Sequence, residues 1–189
     1  SACLVGSEMC IRDRIYISDG VTSVGNSAFS WYKNLRKAVV GNSVKTIGDS
    51  AFRQDENLTE LTLGNSVEVI RGTAFGETGL QELVLPSSLK SLWSMALYGM
   101  DQLENITISA NETYQTKDGA LYTNGGKTLY FYPSKKTGEY TIPEGVTEIA
   151  NDAFNGTNLT KLVIADSVTR MGEYCLLYTS PSPRDRQKS

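Results

Sequence analysis

Val44-Lys-Thr-Ile47, Ala51-Phe52 and Leu58-Thr-Glu-Leu61-Thr-Leu63 return, in the same order, as Val67-Glu-Val-Ile70, Ala74-Phe75 and Leu80-Gln-Glu-Leu83-Val-Leu85. Equivalent residues lie 23 positions apart from Val44 to Val67 and 22 apart from Val67 to Leu89. A period of this size is that of a solenoid, in which a unit too small to bury its own apolar face stacks on the next one. The alternation at the end of Leu-x-x-Leu-x-Leu predicts a short strand half buried against the core, with Thr62, Val84 and Thr107 pointing outward. The Ala-Phe pair, followed by polar residues such as Arg53-Gln-Asp-Glu56, predicts one helical turn whose ring fills the space between coils.

Working outward, a first repeat runs from Ile15-Tyr-Ile17 through the Asp19-Gly20 turn to Val21, Val24, Ala28-Phe29 and Leu35-Arg-Lys-Ala38-Val-Val40. A fourth keeps its hydrophobicity with Leu89, Trp93 and Leu97 in place of Val, Gly and Phe. After Ile108 the period breaks, and residues 109–142 read as an insert rich in Tyr and Phe. Within it Ala120-Leu-Tyr-Thr123 and Thr128-Leu-Tyr-Phe-Tyr132, joined through Asn124-Gly-Gly-Lys127, predict a β-hairpin packed on the ladder. The repeat resumes at Pro143-Glu-Gly-Val146 and a sixth begins at Val168. The expected fold is a β-rich, right-handed solenoid of about six coils, the count set by the period, with parallel strands, helical turns and an inserted hairpin.

The chain of 189 residues carries a net charge of −3, so it has no basic footprint for nucleic acid or an anionic membrane. No apolar run approaches the ~20 residues of a transmembrane helix, and residues 1–10 lack the plan of a signal peptide. Residues 4–13 can be encoded by a DNA string whose reverse complement, in a shifted frame, encodes residues 175–184. That relation resembles a sequencing-library adapter read on both strands. Residues 1–14 and 175–189 are therefore expected to be adapter-derived, leaving 15–174 as the repeat domain and an internal fragment of a longer protein. This region has 13 Lys and Arg against 18 Asp and Glu, and neither Cys nor His.

Without these two residue types, Ser-His and Cys-His nucleophiles, disulfides and zinc sites fall away together. No cofactor or metal is expected. Glu60, Glu82 and Glu104 read as one repeat position, where carboxylates on adjacent coils could approach glycosidase spacing; duplication of a solvated strand face is the preferred reading. The tyrosines of the insert, Tyr114, Tyr122, Tyr130, Tyr132 and Tyr140, with Phe131, could contact carbohydrate or protein, but packing of the hairpin is preferred. Asn57, Asn105, Asn111, Asn155 and Asn158 head glycosylation-acceptor triplets, and are read instead as turn residues tolerant of left-handed backbone.

With the repeats in register, the chain resembles the BspA-like leucine-rich repeats, whose pattern is close to Pro-x-x-Val-x-x-Ile-Gly-x-x-Ala-Phe-x-x-Cys-x-x-Leu-x-x-Val-x-Ile. The clearest match runs from Pro143-Glu-Gly-Val146 through Ile149, Ala153-Phe154 and Leu159 to Ile164. The insert resembles a segment of the same family in Asn111 to Tyr114, Asp118 to Tyr122, Lys127 to Leu129 and Tyr132-Pro133. Tyr32, Asp55, Thr78, Met100 and Thr157 stand where that family often has cysteine, and Arg71, Trp93 and Ala150 where it has glycine. The resemblance implies a secreted or surface-attached protein that binds host matrix proteins or another cell.

These readings together predict a non-catalytic recognition module. Its contacts are expected at the outward ladder positions Glu60, Thr62, Glu82, Val84, Asn105, Thr107, Lys161 and Val163. The alternative is a repeat spacer in a large secreted hydrolase whose catalytic domain lies elsewhere in the chain.

Overall fold

A computed structural model of the chain describes residues 13–175, so the adapter-like ends lie outside the described residues except at 13, 14 and 175. The strands are β1 (Arg14–Ile17), β2 (Ser23–Val24), β3 (Lys37–Val40), β4 (Thr46–Ile47), β5 (Glu60–Thr62), β6 (Val69–Ile70), β7 (Glu82–Leu85) and β8 (Ser91–Leu92). They continue as β9 (Asn105–Ile108), β10 (Tyr114–Lys117), β11 (Ala120–Thr123), β12 (Thr128–Phe131), β13 (Thr137–Thr141), β14 (Glu148–Ile149), β15 (Asn158–Val163) and β16 (Arg170–Met171). Sequence repetition becomes parallel pairing. Val24, Ile47, Ile70 and Leu92 stack in register through β2-β4-β6-β8, while β1-β3-β5 and β7-β9 form the second wall of the coil.

The Ala-Phe segment corrects the expected helical turn. Ser50 (φ 56°) and Gln54 (φ 64°) are left-handed, as are Ser27 and Trp31 before them and Thr73 and Glu77 after. This alternation turns every second N–H towards the neighbouring coil. Ser50, Phe52 and Gln54 donate to the carbonyls of Gly72, Ala74 and Gly76 at 2.9, 2.8 and 2.9 Å. The turns thus form a third inter-coil ladder, and backbone groups that a helix would satisfy locally are satisfied across coils. Coil 4 differs, with a 3-10 turn at Ser94–Leu97.

Inside, Phe29, Phe52 and Phe75 form a column with ring centroids 5.3 and 6.0 Å apart, flanked by fully buried Leu35, Leu58 and Leu80. Coils meet so closely at the turns that a Cβ on Gly41 would lie 2.6 Å from the Ile17 carbonyl oxygen. The second wall is interrupted between β5 and β7, which lie in separate sheets. The interruption falls where the period shortens by one residue, Leu80 following Phe75 by five positions and Leu58 following Phe52 by six.

The predicted hairpin is present as β11 and β12, its turn made by left-handed Asn124, Gly125 and Gly126. Two features were not expected. Strand β10 adds a second hairpin through Asp118-Gly119, and β12 pairs in parallel with β14, as β14 does with β16. Strand β13 likewise pairs in parallel with β15. Residues 127–142 are therefore a contracted coil, and the described residues make seven coils where the period alone predicts about six. In this coil Tyr132 takes the phenylalanine place: its N–H donates to Ala153 at 2.8 Å and its ring lies 5.3 Å from Phe154.

The hairpin is buried on both faces. Leu121, Phe131 and Tyr114 join the core of coils 1–4, whereas Ala120, Tyr122, Leu129 and Tyr132 join a second core with Ile149 and Phe154. Strand alternation makes the hairpin a wall between two cores.

Candidate recognition face

The outward positions of the second wall stand on three separate sheets. In β1-β3-β5 one row runs Arg14, Lys37, Glu60 and the next Tyr16, Val39, Thr62. In β7-β9 the rows are Glu82–Asn105 and Val84–Thr107, and in β13-β15 they are Glu139–Lys161 and Thr141–Val163. Glu60, Thr62, Glu82, Val84, Thr107, Lys161 and Val163 are exposed and Asn105 is half-buried. Their inward neighbours Leu83 and Ile106 are buried, so the pleat separates the two sets.

Two of these residues already have partners on adjacent coils. Lys37 Nζ donates to Glu60 at 2.7 Å and Lys161 Nζ to Glu139 at 3.0 Å. The hydrogen bond from Lys37, with its charge, holds the Glu60 carboxyl below its usual range and raises the lysine in return. Both sites are open to solvent, so this coupling is screened by salt. The face offers hydroxyls, small apolar side chains and paired charges of both signs, which suits non-covalent contact.

Tyr16, 66% exposed, stands on the same face and was missed, as were Lys37, Glu139 and Thr141. The register of Ile15-Tyr-Ile17 could have identified Tyr16. Glu139 and Thr141 were hidden because their strand belongs to the contracted coil.

The carboxylate row is corrected. Glu82 is opposite Asn105, so Glu104 is one position out of register and pairs with Lys135 at 3.3 Å. Glu60 and Glu82 lie on strands that do not pair. The tyrosines of the insert are taken up in packing. Tyr114, Tyr122 and Tyr132 are buried, Tyr122 and Tyr140 share a hydroxyl hydrogen bond at 2.6 Å, and burial pushes both phenols up. Leu92 N–H donates to Tyr114 Oη at 2.8 Å, and Tyr130 Oη donates to Leu92 O at 2.5 Å. These hydroxyls take the place of backbone partners at the end of the β2-β4-β6-β8 sheet.

Hydrogen bonds hold the side chains of four of the five asparagines, and Asn111 also makes a turn, its Oδ1 accepting from the N–H groups of Thr113 and Tyr114 at 2.8 Å each. None of the five has positive φ. Asn57 Nδ2 donates to Lys33 O at 2.6 Å, Asn111 Nδ2 to Ser87 O and Leu89 O at 2.8 Å each, and Asn158 Nδ2 to Ser134 O at 3.4 Å. Asn155 Nδ2 donates to Asp152 Oδ1 at 3.1 Å.

The pattern described as the BspA type leucine rich repeat region matches in six copies, over residues 8–124 and 51–182. A leucine-rich repeat protein from Eubacterium ventriosum superposes with a TM-score of 0.69 at 26% identity, covering 85% of this chain and 50% of that one. The pneumococcal vaccine antigen PcpA does so with the same score and identity, covering 86% of this chain and 47% of its own. A leucine-rich cell surface protein from Faecalibacterium prausnitzii shares the fold at 22% identity and a TM-score of 0.63, covering 84% of this chain and 56% of its own. The chain spans about half the length of the first two. No curated protein matches it.

Proposed function

From a chain that belongs to the BspA type of leucine-rich repeat proteins, we propose a non-catalytic recognition module of a secreted or cell-surface protein, which binds another protein through the outward face of its second wall. The observation that carries this reading is the run of exposed Thr62, Glu82, Val84, Thr107 and Val163, held in fixed register by parallel strand pairing and spread across three sheets. Rigid parallel strands present such side chains at little cost in ordering entropy, which favours binding. One relative at 26% identity is a vaccine antigen, in keeping with an accessible surface.

The test is binding to immobilised extracellular-matrix proteins and to whole cells. Wild type is compared with alanine variants of Glu60, Thr62, Glu82, Val84, Asn105, Thr107, Lys161 and Val163, each checked for folding by circular dichroism. Loss of binding in folded variants supports the face. Retained binding across the whole set removes it, and a catalytic domain encoded in frame nearby would favour the spacer reading.

A further inference from the structure

Asp55 stands three residues after the core phenylalanine of coil 2, in the slot that other coils fill with Tyr32, Thr78, Met100 or Thr157. It has no exposed surface. One carboxyl oxygen accepts the Tyr32 N–H of coil 1 at 2.6 Å, and the other, Oδ2, has no hydrogen-bond partner. The two threonines in equivalent slots show what the site offers. Each hydroxyl donates back to the carbonyl three residues earlier, Thr78 to Phe75 O and Thr157 to Phe154 O, both at 2.9 Å. In both of those coils the carbonyl of the slot is an acceptor. A protonated carboxyl can donate to it, and an ionised one cannot.

Among the described residues no cation pairs with Asp55. Of the charged groups on the neighbouring turns, Lys33 and Arg36 belong to the preceding coil, Arg53 and Glu56 to its own, and Glu77 to the next. Lys33, Arg36 and Glu56 are exposed, while Arg53 and Glu77 pair with each other at 2.9 Å. The causes that move the Asp55 carboxyl are burial, which raises it, and the Tyr32 N–H, which lowers it. Burying an ion without a partner charge is strongly unfavourable, so the group takes its neutral form.

We propose that Asp55 folds as the neutral acid and that its ionisation loosens the joint between coils 1 and 2, making the N-terminal coils proton-stabilised. In support, burial pushes the carboxyl up to about 7, with the Tyr32 N–H pulling it partly back. Because the folded value is raised above the ordinary 3.8, the folded chain holds more protons than the unfolded chain between the two values. Stability from this group is fully present below that window and falls as pH rises through it. The limit is about tenfold in the folding equilibrium constant per pH unit.

The experiment uses the full chain. Urea unfolding is followed from acid to mildly alkaline pH for wild type, Asp55→Thr and Asp55→Asn, beside a ¹³C titration of the Asp55 carboxyl. Asp101, also raised by burial, and Glu60 and Glu68, lowered by their lysines, titrate in all three proteins and cancel in the comparison. The expected result is that wild type loses stability relative to both variants as pH rises, that amide exchange at Tyr32 gains protection in acid, and that the carboxyl titrates near neutrality. Parallel stability curves, or a carboxyl titrating near 4, would overturn the proposal. If a variant does not fold, the carboxyl titration of wild type decides by itself.

Discussion

Coils 1–4 and the contracted coil solve one problem in two ways. In coils 1–3 every second N–H of the Ala-Phe turn donates to the next coil, and the apolar strand residues find their equivalents 22 or 23 residues away. At residues 109–142 that repetition stops, and side chains take over. Tyr114 and Tyr130 satisfy the Leu92 backbone, Asn111 holds the carbonyls of Ser87 and Leu89, and a two-faced hairpin separates two cores. A repeat can thus be interrupted when the inserted segment satisfies the polar groups that the missing coil leaves open.

The largest expected effect lies in the regular region. Phe52→Ala removes the fully buried middle ring of the column and should cost about 3–5 kcal/mol, measured by urea unfolding. Amide exchange should show the loss concentrated in coils 1–4, with Ile149 and Phe154 in the second core retaining protection. Equal loss in both cores would mean that the hairpin couples them fully and that the two-core comparison is only geometric.

At the seam, Tyr114→Phe and Tyr130→Phe each leave a backbone group of buried Leu92 without its partner. Each should cost about 1–3 kcal/mol. Tyr16→Phe removes an exposed hydroxyl, leaves Leu92 untouched and provides the control. If all three variants have the same stability, the hydroxyls do not hold the end of the ladder.

The smallest effect is expected on the outer face. Thr62→Ala and Thr107→Ala should stay within about 0.5 kcal/mol of wild type, because these exposed side chains hold nothing inside the coil. Any loss of ligand binding in them is then a loss of contact rather than of fold.

Much of this was legible in the residues. The period predicts the stacking of Val24, Ile47, Ile70 and Leu92, and the Asn124-Gly-Gly turn predicts the β11–β12 hairpin. The contracted coil was not, because Tyr132 follows Leu129 by three positions whereas Phe154 follows Ile149 by five, which puts the segment out of phase with any 22-residue template. The same sensitivity to phase misplaced Glu104. On the candidate face, the outward residues followed from alternation, but the breaks at β5–β7 and beyond β9 depend on pairings between coils.

The sequence alone determined that this chain is a leucine-rich repeat solenoid, because hydrophobic spacing is a local property that repeats identically from coil to coil. Only the tertiary structure decided the sign of φ at Ser50 and Gln54, the parallel pairing of β12 with β14 and of β13 with β15, and the burial of Asp55 with an unpartnered oxygen. Each of these depends on hydrogen bonds and packing supplied by a neighbouring coil about 20 residues away, and no local pattern records which groups that neighbour will leave open.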